Sequence, residues 1–149
     1  MDWDIVSFER VGPLAFGMTR EQVAELIGPP ERVRDTAGRP TEFRALDLPV
    51  VHYDERGVKE IETYYDVESL RLGDLRLFGE DGAAVMRELE RRNGGALIDV
   101  GIVLFDRLGL TCGRLDEAAR GDHSVTAFRK GQWDGQLGDF EPISFLDRG

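Results

Sequence analysis

A helix that starts at Thr19 can run no further than Gly28 in this chain. In AFGMTREQVAELIGPP (residues 15–30), Thr19 offers a side-chain oxygen to the first turn, and Gln22, three residues on, completes a capping box. Glu21 suits the positive end of the helix. Val23, Leu26 and Ile27 recur at helical spacing and mark one apolar face. Gly28 fits a C-terminal cap, and Pro29-Pro30 forbids continuation. A helix of about nine residues is not stable alone in water, so the sequence demands a surface for it to lie on.

That surface follows directly. Residues 31–41 are polar and read as a loop; after them come three extended segments, EFRAL, PVVHY and VKEIETYY. DERG (54–57) joins the last two as a hairpin in which Gly57 is free to take a positive φ. The unit reads as helix, loop and three-stranded meander. It then recurs. A shift of 62 residues places Phe16 on Phe78, Gly17 on Gly79, Val23 on Val85, Phe43 on Phe105, Leu46 on Leu108 and Leu48 on Leu110. Past an insertion, Ile61 meets Val125, Thr63 meets Ala127 and Tyr64 meets Phe128.

LFGEDGAAVMRELERR (77–92) supplies the second helix, with Asp81 in the capping role of Thr19 and Asn93-Gly94-Gly95 as its exit. The expected fold class is therefore α+β: a tandem duplication of a helix-plus-three-stranded-meander unit, forming one antiparallel sheet of six to eight strands with the helices on one face. Residues 1–66 form the first unit and 67–149 the second, within one shared globular domain. DVESLRLGD (66–74) is the expected linker. WDIVSFERV (3–11) is expected to add an edge strand, with Trp3, Ile5 and Val11 contributing to packing.

The segment FGMTREQVAELIGPP resembles the opening GMT-x-x-x-V-x-x-x-L-G-x-P motif of the SmpA/OmlA outer-membrane assembly lipoproteins, through Gly17, Met18, Thr19, Val23, Gly28 and Pro30. It is also similar to the beta-lactamase inhibitor proteins (BLIP-like), whose fold is two tandem helix-plus-sheet units. SVTAFRKGQWD (124–134) resembles the ending of a group of uncharacterised bacterial cytoplasmic proteins with the same tandem plan. The resemblance implies the fold and, by analogy, an inhibitor-like role; it implies no chemistry. MDWDIVSFERVG carries no basic n-region, long apolar run or lipidation cysteine, and no window approaches the roughly 20 apolar residues of a membrane span, so the expected compartment is the cytoplasm.

A net charge of −10, from 29 acidic and 19 basic residues, argues against binding nucleic acid or an anionic membrane, since neutralising phosphates takes clustered Lys and Arg. The same charge steers a basic protein partner toward the chain. Cys112 is the only cysteine, in the apolar context LGLTCG, and reads as a buried thiol. His52 and His123 are not placed beside it by the repeat. HYDE (52–55) and DEAARGDH (116–123) lack metal-ligand spacing and read as solvated loops. No phosphate-binding loop or dinucleotide fingerprint occurs. No catalytic residue, metal ligand or cofactor is expected.

The alternation in the meander points to a surface. Pairing Tyr53 with Val58 places Val50, Ile61, Thr63 and Tyr65 on one sheet face and Val51, Tyr53, Glu60, Glu62 and Tyr64 on the other. In the second copy Phe128 matches Tyr64, with Trp133 nearby. Tyr53, Glu60, Glu62, Tyr64, Phe128 and Trp133 are the expected partner-binding residues, because aromatics mixed with charge are what interface centres favour. The expected function is that of a non-enzymatic protein-binding protein, an inhibitor or immunity-type protein neutralising a basic partner. The alternative is a small-molecule-binding or enzymatic domain using the cleft between the two units; a structural subunit of a larger assembly is a third reading.

Overall fold

Three short strands open the chain in the computed structural model, which describes residues 2–117 and 120–146: β1 (Asp4–Val6), β2 (Arg10–Val11) and β3 (Leu14–Ala15). Thr19 then caps α1 (Arg20–Ile27) with both bonds of the capping box. Gln22 N–H donates to Thr19 Oγ1 at 3.2 Å, and Thr19 N–H donates to Gln22 Oε1 at 2.9 Å. Gly28 ends the helix at φ 86°. Val23 is fully buried, whereas Leu26 stays exposed, so the apolar face is narrower than its spacing suggests.

Residues 32–43 correct the expected loop. They form a hairpin of β4 (Arg32–Thr36) and β5 (Arg39–Phe43), turning at Ala37-Gly38 with φ of 55° and 78°, the doubly positive geometry that suits strand twist. β4 is exposed along its whole length, so it shows none of the apolar alternation by which a half-buried strand is read.

β6 (Val50–Asp54) and β7 (Gly57–Tyr64) complete the first half. Gly57 has φ 94°, and a Cβ there would fall 2.5 Å from the carbonyl oxygens of Gly17 and Met18. The crowding arises because the turn after β3 docks on β7. Gly17 N–H donates to Val58 O at 2.9 Å, and Val58 N–H donates to Met18 O at 3.0 Å.

The second half begins with β8 (Arg71–Leu72) and β9 (Leu75–Arg76), then α2 (Gly82–Asn93). Asp81 precedes α2 but makes no side-chain capping bond. Asn93 organises the exit instead, with Oδ1 accepting from the backbone N–H of Arg107 at 2.7 Å and of Leu108 at 3.0 Å. The remaining strands are β10 (Ala96–Asp99), β11 (Ile102–Phe105), β12 (Leu110–Gly113), β13 (Ser124–Phe128) and β14 (Glu141–Ile143). Neither helix is long and apolar enough to cross a membrane among the described residues.

The fold is mixed α and β with two sheets, where one was expected. Nine antiparallel strands run in the order β14-β10-β11-β12-β13-β7-β6-β5-β4, and a small second sheet runs β3-β2-β1-β8-β9. Trp3, Ile5 and Val11 are buried as anticipated, but β1 lies at the centre of the small sheet, parallel to β8, rather than at an edge of the large one. DVESLRLGD is likewise no free linker: it contains β8 and buries Val67 and Leu70. The halves meet where β7 pairs with β13, and Thr63 Oγ1 donates to Val125 O across that seam at 2.7 Å. One core draws on both, joining Val23, Val51 and Ile61 to Val85, Leu89, Phe105 and Val125.

The 62-residue shift does not hold through the strands. Phe105 is fully buried in the core, while Phe43 is half-buried beneath the Arg32 and Arg34 guanidiniums. Leu104, opposite Thr111 as Thr111 is opposite Thr126, stands where Phe43 does when strands are counted outward from the seam.

Candidate functional site

Directly opposed residues of an antiparallel pair share a sheet face, so the register assigns the two faces strand by strand. Thr41 lies opposite His52, His52 opposite Glu60, Val50 opposite Glu62, Glu62 opposite Thr126, and Glu60 opposite Phe128. These residues, with Arg32, Arg34, Phe43 and Tyr64, form the outer face. Val51, Ile61, Thr63 and Val125 form the inner one.

Tyr53 is a correction. The register shifts between His52 and Tyr53, so that Glu60 faces His52 while Val58 faces Tyr53, leaving Lys59 as the extra residue. That bulge turns Tyr53 inward, where it is 2% exposed, and Val50 and Val51 exchange the faces expected of them. The Tyr53 hydroxyl donates to Glu42 Oε1 at 2.7 Å. Glu42 also accepts from Arg20 Nε at 2.8 Å and Arg44 Nη2 at 3.2 Å. Burial pushes the Glu42 carboxyl up, but the bonds from Tyr53 and Arg20 outweigh it and hold the group below its ordinary value. This cluster ties α1 to β5 and β6. Sequence reading missed it because the bulge hid that Glu42, Arg44 and Tyr53 share a side.

The outer face has two unlike halves. Over β10, β11 and β13, the outward residues Leu97, Leu104 and Phe128 carry a cover made by the chain itself, with Phe8 from the first turns and Trp133 and Phe140 from the returning C-terminal segment. Phe8–Phe128, Phe128–Trp133 and Trp133–Phe140 meet edge to face, with centroids 5.9, 6.4 and 5.8 Å apart. Phe128 is 3% exposed and Trp133 half-buried, so neither joins an open surface. Over β4 to β7 the described residues place no such aromatic cover.

Glu60, Glu62 and Tyr64 do come together on this open half, along with Thr41 and His52. His52 Nε2 lies 2.8 Å from Glu62 Oε1, and the Tyr64 hydroxyl donates to Glu62 Oε2. His52 Nδ1 lies 3.1 Å from the Thr41 hydroxyl. Burial raises Glu62, yet the bonds from His52 and Tyr64 win and lower it. Burial, and the proximity of Glu62 in part, raise Glu60, against the pull of His52 and Lys59. Burial and the Glu62 bond push the Tyr64 phenol upward.

The network lines up the Thr41 hydroxyl, the His52 imidazole and the Glu62 carboxylate, with Thr41 buried. Cys112 lies on the inner face, opposite Val125, and burial pushes its thiol far up. His52 is on the outer face. His123 is buried, with Nε2 2.6 Å from Glu117 O and its ring edge against Tyr65. Among the described residues no group of three or more His, Cys, Asp or Glu is placed to hold a metal. Comparison with known proteins finds no match: no protein-family model fits the chain, and no curated protein or solved structure is recognisably similar to it.

Proposed function

We propose that this chain is a non-enzymatic protein-binding protein, and that the open half of its outer face occludes a partner as an inhibitor or immunity-type protein would. The observation that carries this reading is the contrast between the halves: Phe128 lies beneath Trp133, while Tyr64 remains 37% exposed. We further read the halves as copies of one unit, with both helices on the inner face. Each has a short hairpin, a helix and four consecutive antiparallel strands. At the seam, Ile61–Ala127 and Thr63–Val125 flank Glu62–Thr126 symmetrically. A two-fold relation there carries Tyr64 onto Phe128, in agreement with the sequence alignment. Where one copy recruited its own tail as a lid, the other has kept its face for another molecule.

The net charge of −10 favours a basic partner at long range. At contact range, an aromatic held at a fixed angle by its hydroxyl suits an anchor role. The test is capture from the native lysate with the wild-type chain and Tyr64→Ala side by side. A specific partner bound by the wild type should lose about 2 kcal/mol, or roughly thirtyfold in affinity, with the variant still folded. Equal binding by both chains contradicts the assignment.

A further inference from the structure

A cavity of about 480 Å³ opens at one end of the uncovered half, walled by Arg32, Phe43, Arg44, Leu46, Val50 and Tyr64. It belongs to residues 31–64 alone and does not lie between the two halves. Its volume falls in the range of small-molecule pockets, and its walls are mostly apolar with a few polar groups, as such pockets are. One of those groups, Arg32, is an exposed guanidinium with capacity to spare.

Arg32 lies over the Phe43 ring, with Cζ 4.3 Å from the centroid, and makes no ion pair among the described residues. Arg44 has a side chain only 2% exposed. It donates Nε to Gly28 O at 3.0 Å and Nη2 to Glu42 at 3.2 Å, which leaves Nη1 buried with no hydrogen-bond partner. That atom is enclosed within the Glu42–Tyr53 cluster on the inner side of the sheet and has no surface open to the cavity, so Arg44 makes no direct contact there. Glu42 already balances much of the Arg44 charge, and Glu31, exposed at the rim, opposes a second negative charge. The site therefore suits a single anion on an apolar body, rather than a phosphate ester or a dicarboxylate.

We propose that this cavity binds an amphipathic monocarboxylate, of the fatty or aryl acid class. The apolar body packs on Phe43, Leu46 and Val50. The carboxylate meets the exposed guanidinium of Arg32. This inference goes beyond the partner-binding reading and does not depend on it.

The test is titration of the full chain with decanoate, and with decanol as the neutral analogue, followed by calorimetry and by amide NMR shifts. Arg32 and Leu46 are exposed, so Arg32→Gln and Leu46→Glu retain the fold, which an unchanged unfolding midpoint verifies. The expected result is saturable decanoate binding, with shifts centred on residues 31–50 and on Tyr64. Decanol, Arg32→Gln and Leu46→Glu should each weaken binding by about tenfold or more. Absence of saturable decanoate binding, shifts centred elsewhere, equal binding of decanol, or native affinity in Arg32→Gln overturns the proposal.

Discussion

Asp54 is gripped by both terminal nitrogens of Arg129 at the end of the β6–β7 hairpin, with Nη1 3.1 Å from Oδ1 and Nη2 bonded to Oδ2. Those hydrogen bonds lower its pKa from 3.8 to about 2. Between those values the unfolded chain takes up the proton that the folded chain refuses, so acid favours unfolding. The pair's contribution is complete above the ordinary carboxylate range and is lost as pH falls from 3.8 through about 2. Asp54→Asn should cost about 2 kcal/mol at neutral pH and flatten the acid limb of stability against pH. Denaturant melts across a pH series measure this; parallel acid limbs for the two proteins would refute it. Cys112 gives a second test at this scale. It should resist thiol reagents in the native protein and react once denaturant is added, and Cys112→Ala should cost about 1 kcal/mol. Its burial was legible because LGLTCG is apolar but for Thr111. The inward turn of Tyr53 was not, because a single extra residue in β7 reverses a face and leaves no mark in the hydrophobic pattern.

Among the elements, α1 was readable almost to the residue, since its cap, its stop and its buried Val23 are all local signals. The β4 strand was not readable, because an exposed edge strand has no buried side to impose alternation. The small sheet escaped for a related reason: strands of two or three residues are too short to show a period. Gly57 is where the elements constrain each other most tightly. Gly57→Ala should destabilise by more than the roughly 1 kcal/mol expected for the cap variant Thr19→Ala, because it combines a left-handed φ with contact against two backbone oxygens. Thermal unfolding of the two variants decides it, and a Gly57→Ala protein as stable as the native one would contradict the docking of the Phe-Gly turn on β7.

At the scale of the molecule, one core and one seam join the halves, yet the outer face is finished over only one of them. The sequence carried half of that asymmetry. Alternation along β7 already set Glu60, Glu62 and Tyr64 on one side. The aromatic character of Phe128 and Trp133 was equally visible, but aromatics that wait for a partner look the same in a sequence as aromatics that cover each other. Only the return of residues 133–140 across β11 and β13 tells them apart. An open face on one half and a covered face on the other require Tyr64 and Phe128 to answer the same substitution differently. Denaturant unfolding of Tyr64→Ala and Phe128→Ala tests this most directly. Tyr64→Ala should lie within about 1 kcal/mol of the native chain, as a surface aromatic does. Phe128→Ala should lose about 3 kcal/mol or more, as a core ring does. Equal losses at the two positions would mean that the face over β4 to β7 is interior after all, and that no surface there is free for a partner.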